Sequence, residues 1–371
     1  MTTRHYLDHA STSPARPEVV EAMLPWLAGG ADPGRVHTEG RLARGAVEEA
    51  RRQVAALLGA RPREVVFTSG ATEAVATAVA SFPGHNVVPA VEHSAVRDAA
   101  ARHPVTVVGV DGMGRVDPDE VAAAIRPGET TLVHVQWANH EVGTVQPVAE
   151  VVAACRDRGV LVHVDAAAAA GHLPVDFGTV GADLLSVSAH KLGGPQGVGA
   201  LVVRRGLRLR PLLLGGDQER SRRAGMENVT GIVGFGAAAE VLGADGRLAA
   251  EAGAAQALTE RALQAATTVD GVRPFGDTER RLPHLVCLDV DGVEAQAVLL
   301  GLDQARVAVH SGSACSSESL EPSPVLEAMG VDARHSLRMS VGWSTTAADV
   351  DAFCAALPQV VGRLRELATG A

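Results

Sequence analysis

Of the 33 basic residues in the chain, Lys191 alone is a lysine and the rest are arginines. A guanidinium stays protonated and cannot act as an amine nucleophile, whereas a desolvated lysine sheds its proton and condenses with an aldehyde. Schiff-base formation is therefore the candidate chemistry at this position. From the count alone, a surface lysine left over from an arginine-rich composition explains it equally well. The neighbours decide between the two: Ser186, Ser188 and His190 precede Lys191, and Gly193-Gly194-Pro195 follow it.

The elements that must position these residues are legible as an alternation. Apolar runs at 65–68, 87–88, 105–110, 131–135, 160–164, 184–187 and 199–203 are separated mostly by helical stretches. This pattern predicts an α/β fold with a mainly parallel sheet covered on both faces. Ligands of such sheets collect at strand carboxyl ends. His93 follows the second of these runs, Asn139-His140-Glu141 the fourth, Asp165 ends the fifth and Lys191 follows the sixth. Val65-Val66-Phe67-Thr68 runs into Ser69-Gly70-Ala71-Thr72-Glu73, a strand–glycine–helix turn whose helix N-terminus can hold an anion. Such turns are common, and this one alone does not specify phosphate.

Residues 14–29 and 39–59 read as amphipathic helices, and an alanine-rich stretch from about 236 through Ala266 reads as one long helix leaving the first domain. A smaller α/β unit follows, with strand patterns at 285–290, 307–309 and 338–343 and a closing helix over 347–369. The expected domains are 14–245, and 1–13 together with 246–371.

A chain of 371 residues, 46% hydrophobic and 20% charged, has the make-up of a soluble globular protein. Its net charge of −10 argues against general binding to nucleic acid or an anionic membrane. No apolar signal core opens the sequence, so a cytoplasmic location is expected. Cysteines 155, 287, 315 and 354 are too scattered for a disulfide framework or a metal cluster, and reduced thiols are expected. Small molecules and proteins remain as partners.

A Schiff-base lysine suggests pyridoxal 5'-phosphate, which makes further demands. A carboxylate must keep the pyridine nitrogen protonated, and Asp165 is the candidate, although a helix N-cap is its plainer reading. His93 suits the ring face, against the plainer reading of a loop histidine satisfied by backbone. Ala71, Thr72, Ser188 and His190 suit the phosphate.

Taken together, these motifs resemble the class V aminotransferase family, and within it the group I cysteine desulfurases of the NifS/IscS kind. The resemblance is carried by Tyr6 to Thr12, Thr68 to Glu73, Val91 to Ala95, His163 to Ala166, Ser188 to Lys191, Gly215 to Arg220, His310 to Cys315 and Ser336 to Gly342. It implies a fold-type I homodimer that binds pyridoxal 5'-phosphate. It further implies Lys191 as the Schiff-base lysine, Asp165 as the pyridinium partner and His93 on the ring. Arg338 is implied as the grip on the substrate carboxylate, with Asn139 on the substrate side. Cys315 corresponds to the sulfur-accepting cysteine, on a loop in the second domain. The activity implied is conversion of L-cysteine to L-alanine, with sulfur held on Cys315 as a persulfide for a protein acceptor.

Four positions depart from the family pattern. Ala168 stands where a glutamine is usual, His140 follows Asn139 where a second asparagine is usual, Met226 replaces a threonine, and Asp32-Pro33 replaces Asn-Pro. A thioether cannot donate the threonine's hydrogen bond, whereas His140 can either replace the donor of the asparagine that usually touches the cofactor or act as an extra base. These departures keep two other readings open: a pathway-specific carbon–sulfur lyase acting by β-elimination on a cysteine-derived substrate, and a non-catalytic scaffold homologue.

Overall fold

The computed structural model describes residues 4–29, 31–311 and 322–369. Its strands in chain order are β1 (His5–Tyr6), β2 (Val65–Thr68), β3 (His85–Pro89), β4 (Val105–Val108), β5 (Thr130–Gln136), β6 (Leu161–Asp165), β7 (Leu184–Ser188), β8 (Gly199–Val203), β9 (Val272–Phe275), β10 (Leu285–Val290), β11 (Val307–Ala308) and β12 (Ser336–Ser340). One seven-stranded sheet has the order β2-β8-β7-β6-β5-β3-β4. Strands β7, β6, β5, β3 and β4 pair in parallel, as the alternation predicts.

β8 is the exception and runs antiparallel to both β7 and β2. Only a short 3-10 turn, Ala189–Leu192, and six further residues separate it from β7. A parallel return needs a crossover of a dozen or more residues, so the chain turns straight back. That tight return carries Lys191. Every residue of β2, β3, β7 and β8 is buried, polar ones included, as expected for strands covered on both faces.

The predicted N-terminal helices appear as Pro17–Ala28 and Thr38–Leu57. Against them packs Val229–Gly243, close enough that a Cβ on Gly236 would lie 2.6 Å from the Cα of Ala50. The single helix expected from 236 to 266 is in fact two, Val229–Gly243 and Arg247–Ala266. They break at Ala244-Asp245-Gly246, where Gly246 takes φ 72°, a left-handed conformation that costs glycine little.

β9, β10 and β12 form an antiparallel sheet in the order β12-β10-β9, and β1 pairs in parallel with β11 beside it. Leu7, Leu288, Leu337 and Phe353 belong to the core of this second layer. The chain therefore starts in the second layer and crosses to the large sheet. There the amides of Ser13 and Arg16 donate to the carbonyls of His190 and Gly193, both at 2.9 Å.

Candidate active site

The carboxyl ends of β5, β6 and β7 converge on a cavity of about 540 Å³. Asp165 ends β6, its register partner Gln136 ends β5, and Ser188 ends β7, all three on the cavity wall. The 3-10 turn after Ser188 brings Lys191 to the same wall, where its Nζ donates to the carbonyl of Ala10 at 2.7 Å. Asp165 accepts the amide of Ala167 on Oδ1 at 3.0 Å. His190 contacts the Thr12 hydroxyl through Nδ1 at 3.1 Å, and burial, helped by Lys191, lowers its pKa to about 4. It is a neutral imidazole at neutral pH.

On the β2 side, helix Ala71–Ser81 begins at the cavity, and Gly70 at its N-cap supplies no side-chain cap. The backbones are tightly drawn together here. A Cβ on Gly199 would meet the Val187 carbonyl at 2.5 Å and the Cα of Gly70 at 2.7 Å. Ala71, Thr72 and Ser188 thus line the cavity at a helix N-terminus, a position that favours an anion.

His93 caps helix Ser94–Ala100, its Nδ1 accepting the amide of Ala95 at 3.1 Å. The backbone role and the place in the cavity wall coexist in one side chain. Its ring meets that of His140 edge to face, with centroids 4.8 Å apart, and both rings line the cavity. Asn139 stands behind this wall, fully buried. It donates to the Val91 carbonyl and accepts the amides of Glu141 and Val142, which shapes the turn that carries His140.

Glu92, next to His93, is fully buried and accepts the amide of Gln136. Burial and the Asp165 carboxylate push its pKa well above the ordinary carboxylate range.

Arg338 reaches the cavity from β12, only 1% exposed. It donates to the His140 carbonyl at 2.9 Å, to Asp8 at 3.1 Å and to Ser11 at 2.7 Å. A guanidinium carries five N–H donors, so among the described residues two have no partner, one of them the fully buried Nε–H. Cys315 lies outside the described residues. Of the described cysteines, Cys155 and Cys287 are buried, with thiol pKa values pushed up to about 12, and are unreactive.

The structure thus brings together Ala71, Thr72, His93, His140, Asp165, Ser188, His190, Lys191 and Arg338. With this constellation in hand, comparison with known proteins is decisive: the model of the class-V aminotransferase family matches residues 5–353. The chain belongs to the class-V aminotransferase family. A protein named cysteine desulfurase from Trichormus azollae is 41% identical over 98% of this chain and 94% of its own length. A solved NifS-like protein superposes with a TM-score of 0.90 at 30% identity, covering 98% of this chain and all of its own. A structure described as SspA in complex with cysteine gives 0.81 at 30% identity, over 92% of this chain and all of its own. The mainly parallel sheet with a smaller α/β layer is the fold-type I architecture.

In this class-V chain, Ala168 lines the cavity and offers no side-chain donor. Met226 lies on a neighbouring surface depression with Arg223 and Asn228, 68% exposed. Sequence reasoning missed Gln136, Gln196 and the N-terminal Ala10, Ser11 and Thr12 as wall residues. Gln136 had a readable signal, since it ends a strand directly beside Asp165. The N-terminal residues lie in the Tyr6 to Thr12 motif, but their place on the wall follows from the crossing between layers.

Proposed function

We propose that the protein is a pyridoxal 5'-phosphate-dependent cysteine desulfurase that converts L-cysteine to L-alanine and holds the sulfur on Cys315 as a persulfide. The carrying observation is that one cavity gathers Lys191, Asp165, a helix N-terminus and Arg338. The donor set suits the cofactor, as the Asp165 carboxyl group fits a protonated ring nitrogen and His93 fits the ring face. Ala71, Thr72, Ser188 and neutral His190 fit the phosphate. When bound, the cofactor supplies an electron sink for charge developing at the substrate Cα.

The chain's own residues account for the rest. Arg338 binds the substrate carboxylate through its guanidinium, which lies on the cavity wall. The Lys191 amine moves the Cα proton, and its hydrogen bond to Ala10 holds it at the cavity wall. The Cys315 thiolate attacks the substrate sulfur, forming an S–S bond as the Cβ–S bond breaks. The released electron pair takes a proton at Cβ, and His93 is the group proposed to move it. The product is alanine, and the persulfide passes to a protein acceptor.

The reading extends to a homodimer in the cytoplasm. Exposed Leu212, Leu213, Leu214 and Met226, clustered between 212 and 226, support a second copy as their cover. Among the described residues no helix is long and apolar enough to cross a membrane. The testing experiment is incubation of the loaded protein with L-cysteine. Alanine is the expected product, whereas pyruvate in its place would favour β-elimination.

A further inference from the structure

Behind Asp165, on the side away from the cavity, a stripe of polar residues crosses the buried sheet. His163 lies two residues before Asp165 on β6, Ser186 on β7 is the register partner of Asp165, and His134 on β5 is that of His163. Asn86 on β3 is paired with Leu132, two residues before His134. Strand alternation puts all of these on one face, and Asn86, His134, His163 and Ser186 are wholly buried. They form a continuous chain. Asn86 Oδ1 is 3.1 Å from His134 Nε2, and His134 Nδ1 is 3.1 Å from His163 Nδ1. His163 Nε2 is then 3.2 Å from the Ser186 hydroxyl, which is 3.1 Å from Asp165 Oδ1.

The direction of the chain is fixed at its far end. The Asn86 amide nitrogen donates to the Gly84 carbonyl at 3.0 Å, which turns Oδ1 toward His134 as an acceptor. His134 must therefore carry its proton on Nε2. Burial lowers the pKa of both histidines, so each is neutral with one donor and one acceptor. His134 Nδ1 is then an acceptor, and His163 must donate from Nδ1. That leaves His163 Nε2 as an acceptor facing Ser186, whose single proton has two claimants, His163 and Asp165.

We propose that Asn86, His134, His163 and Ser186 form a one-way hydrogen-bond relay in which His163, as a second acceptor for the Ser186 proton, weakens the bond that Ser186 donates to Asp165, keeping that carboxylate a strong partner for a protonated ring nitrogen. These are positioning residues, none of them on the cavity wall. The role toward the ring rests on the cofactor reading above, whereas the polarity of the relay does not.

The test has two arms. In protein labelled with ¹⁵N-histidine, without cofactor, ring-nitrogen NMR assigned through His134→Gln and His163→Gln should show His134 protonated on Nε2 and His163 on Nδ1. The same tautomer at both, or an imidazolium at either near neutral pH, would overturn the relay. In the second arm, His163→Leu frees the Ser186 proton for Asp165, and the dissociation constant for pyridoxal 5'-phosphate should rise about fivefold, one hydrogen bond's worth. Ser186→Ala removes the donor and should leave it within about twofold. Equal weakening by both variants would mark a merely structural role and overturn the proposal. If His163→Leu does not fold, the tautomers decide. Failure of the unaltered protein to bind the cofactor would sink the cofactor reading and leave the tautomer test standing.

Discussion

Arg338 on β12 and Asp8 in the N-terminal segment form an ion pair of 3.1 Å at the cavity. The pair joins the second layer to the chain's opening residues, and it leaves one terminal N–H of the planar guanidinium without a partner among the described residues. Lysine in its place keeps the charge and loses the fork. Arg338→Lys should lower kcat/KM for L-cysteine by roughly tenfold to a hundredfold, mostly through KM, as expected for losing one or two charge-assisted bonds. Steady-state kinetics checks this, and an unchanged KM would remove Arg338 from substrate binding.

Lys191 is the sole amine side chain in the sequence, so no neighbouring lysine can substitute for it. The purified protein should be yellow, and Lys191→Ala should lose that absorbance band. The variant should lose at least about a hundredfold in turnover, the lower end for a missing general base. Spectra of the two proteins after reconstitution with pyridoxal 5'-phosphate make the comparison. A retained band in the variant would contradict the assignment.

Beneath the glycine turn, Arg51 and Glu219 make a two-pronged ion pair, both contacts at 2.7 Å, with side chains 3% and 2% exposed. Glu219 also accepts the amide of Phe67 on β2 at 3.0 Å. Removing one partner strands the other's charge in the core. Glu219→Ala should cost about 3–5 kcal/mol of unfolding free energy, read from urea denaturation midpoints.

Several motifs in the sequence translated directly into site geometry, because a strand end followed by a glycine turn fixes position locally. Ser69 to Glu73 and Ser188 to Lys191 are of this kind. What depends on distant packing was not legible. The antiparallel sense of β8 follows from the shortness of its link to β7, and the helix break at Gly246 hid inside an alanine-rich pattern. Nothing local marks Ala10 as the acceptor for Lys191. The buried stripe of His134, His163 and Ser186 is readable as alternation only once the register between strands is known.

Acid should destabilise the fold in a defined window. Burial lowers the pKa values of His9, His163, His172 and His190 to about 4, while an unfolded histidine titrates near about 6.5. As pH falls below that value the unfolded chain binds protons that the folded one refuses, so unfolding is favoured. The contribution is fully present above the unfolded value and is lost progressively down to the folded one. Urea unfolding at about pH 7 and about pH 5 should show lower stability at the acid end. A flat profile would contradict neutral burial of these rings.

The central claim is that sulfur leaves cysteine by way of Cys315. After incubation of the loaded protein with L-cysteine, mass spectrometry of the Cys315 peptide should show it heavier by one sulfur atom, with the gain reversed by a thiol reductant and alanine formed alongside. An unmodified Cys315 peptide accompanied by pyruvate and free sulfide would contradict the account.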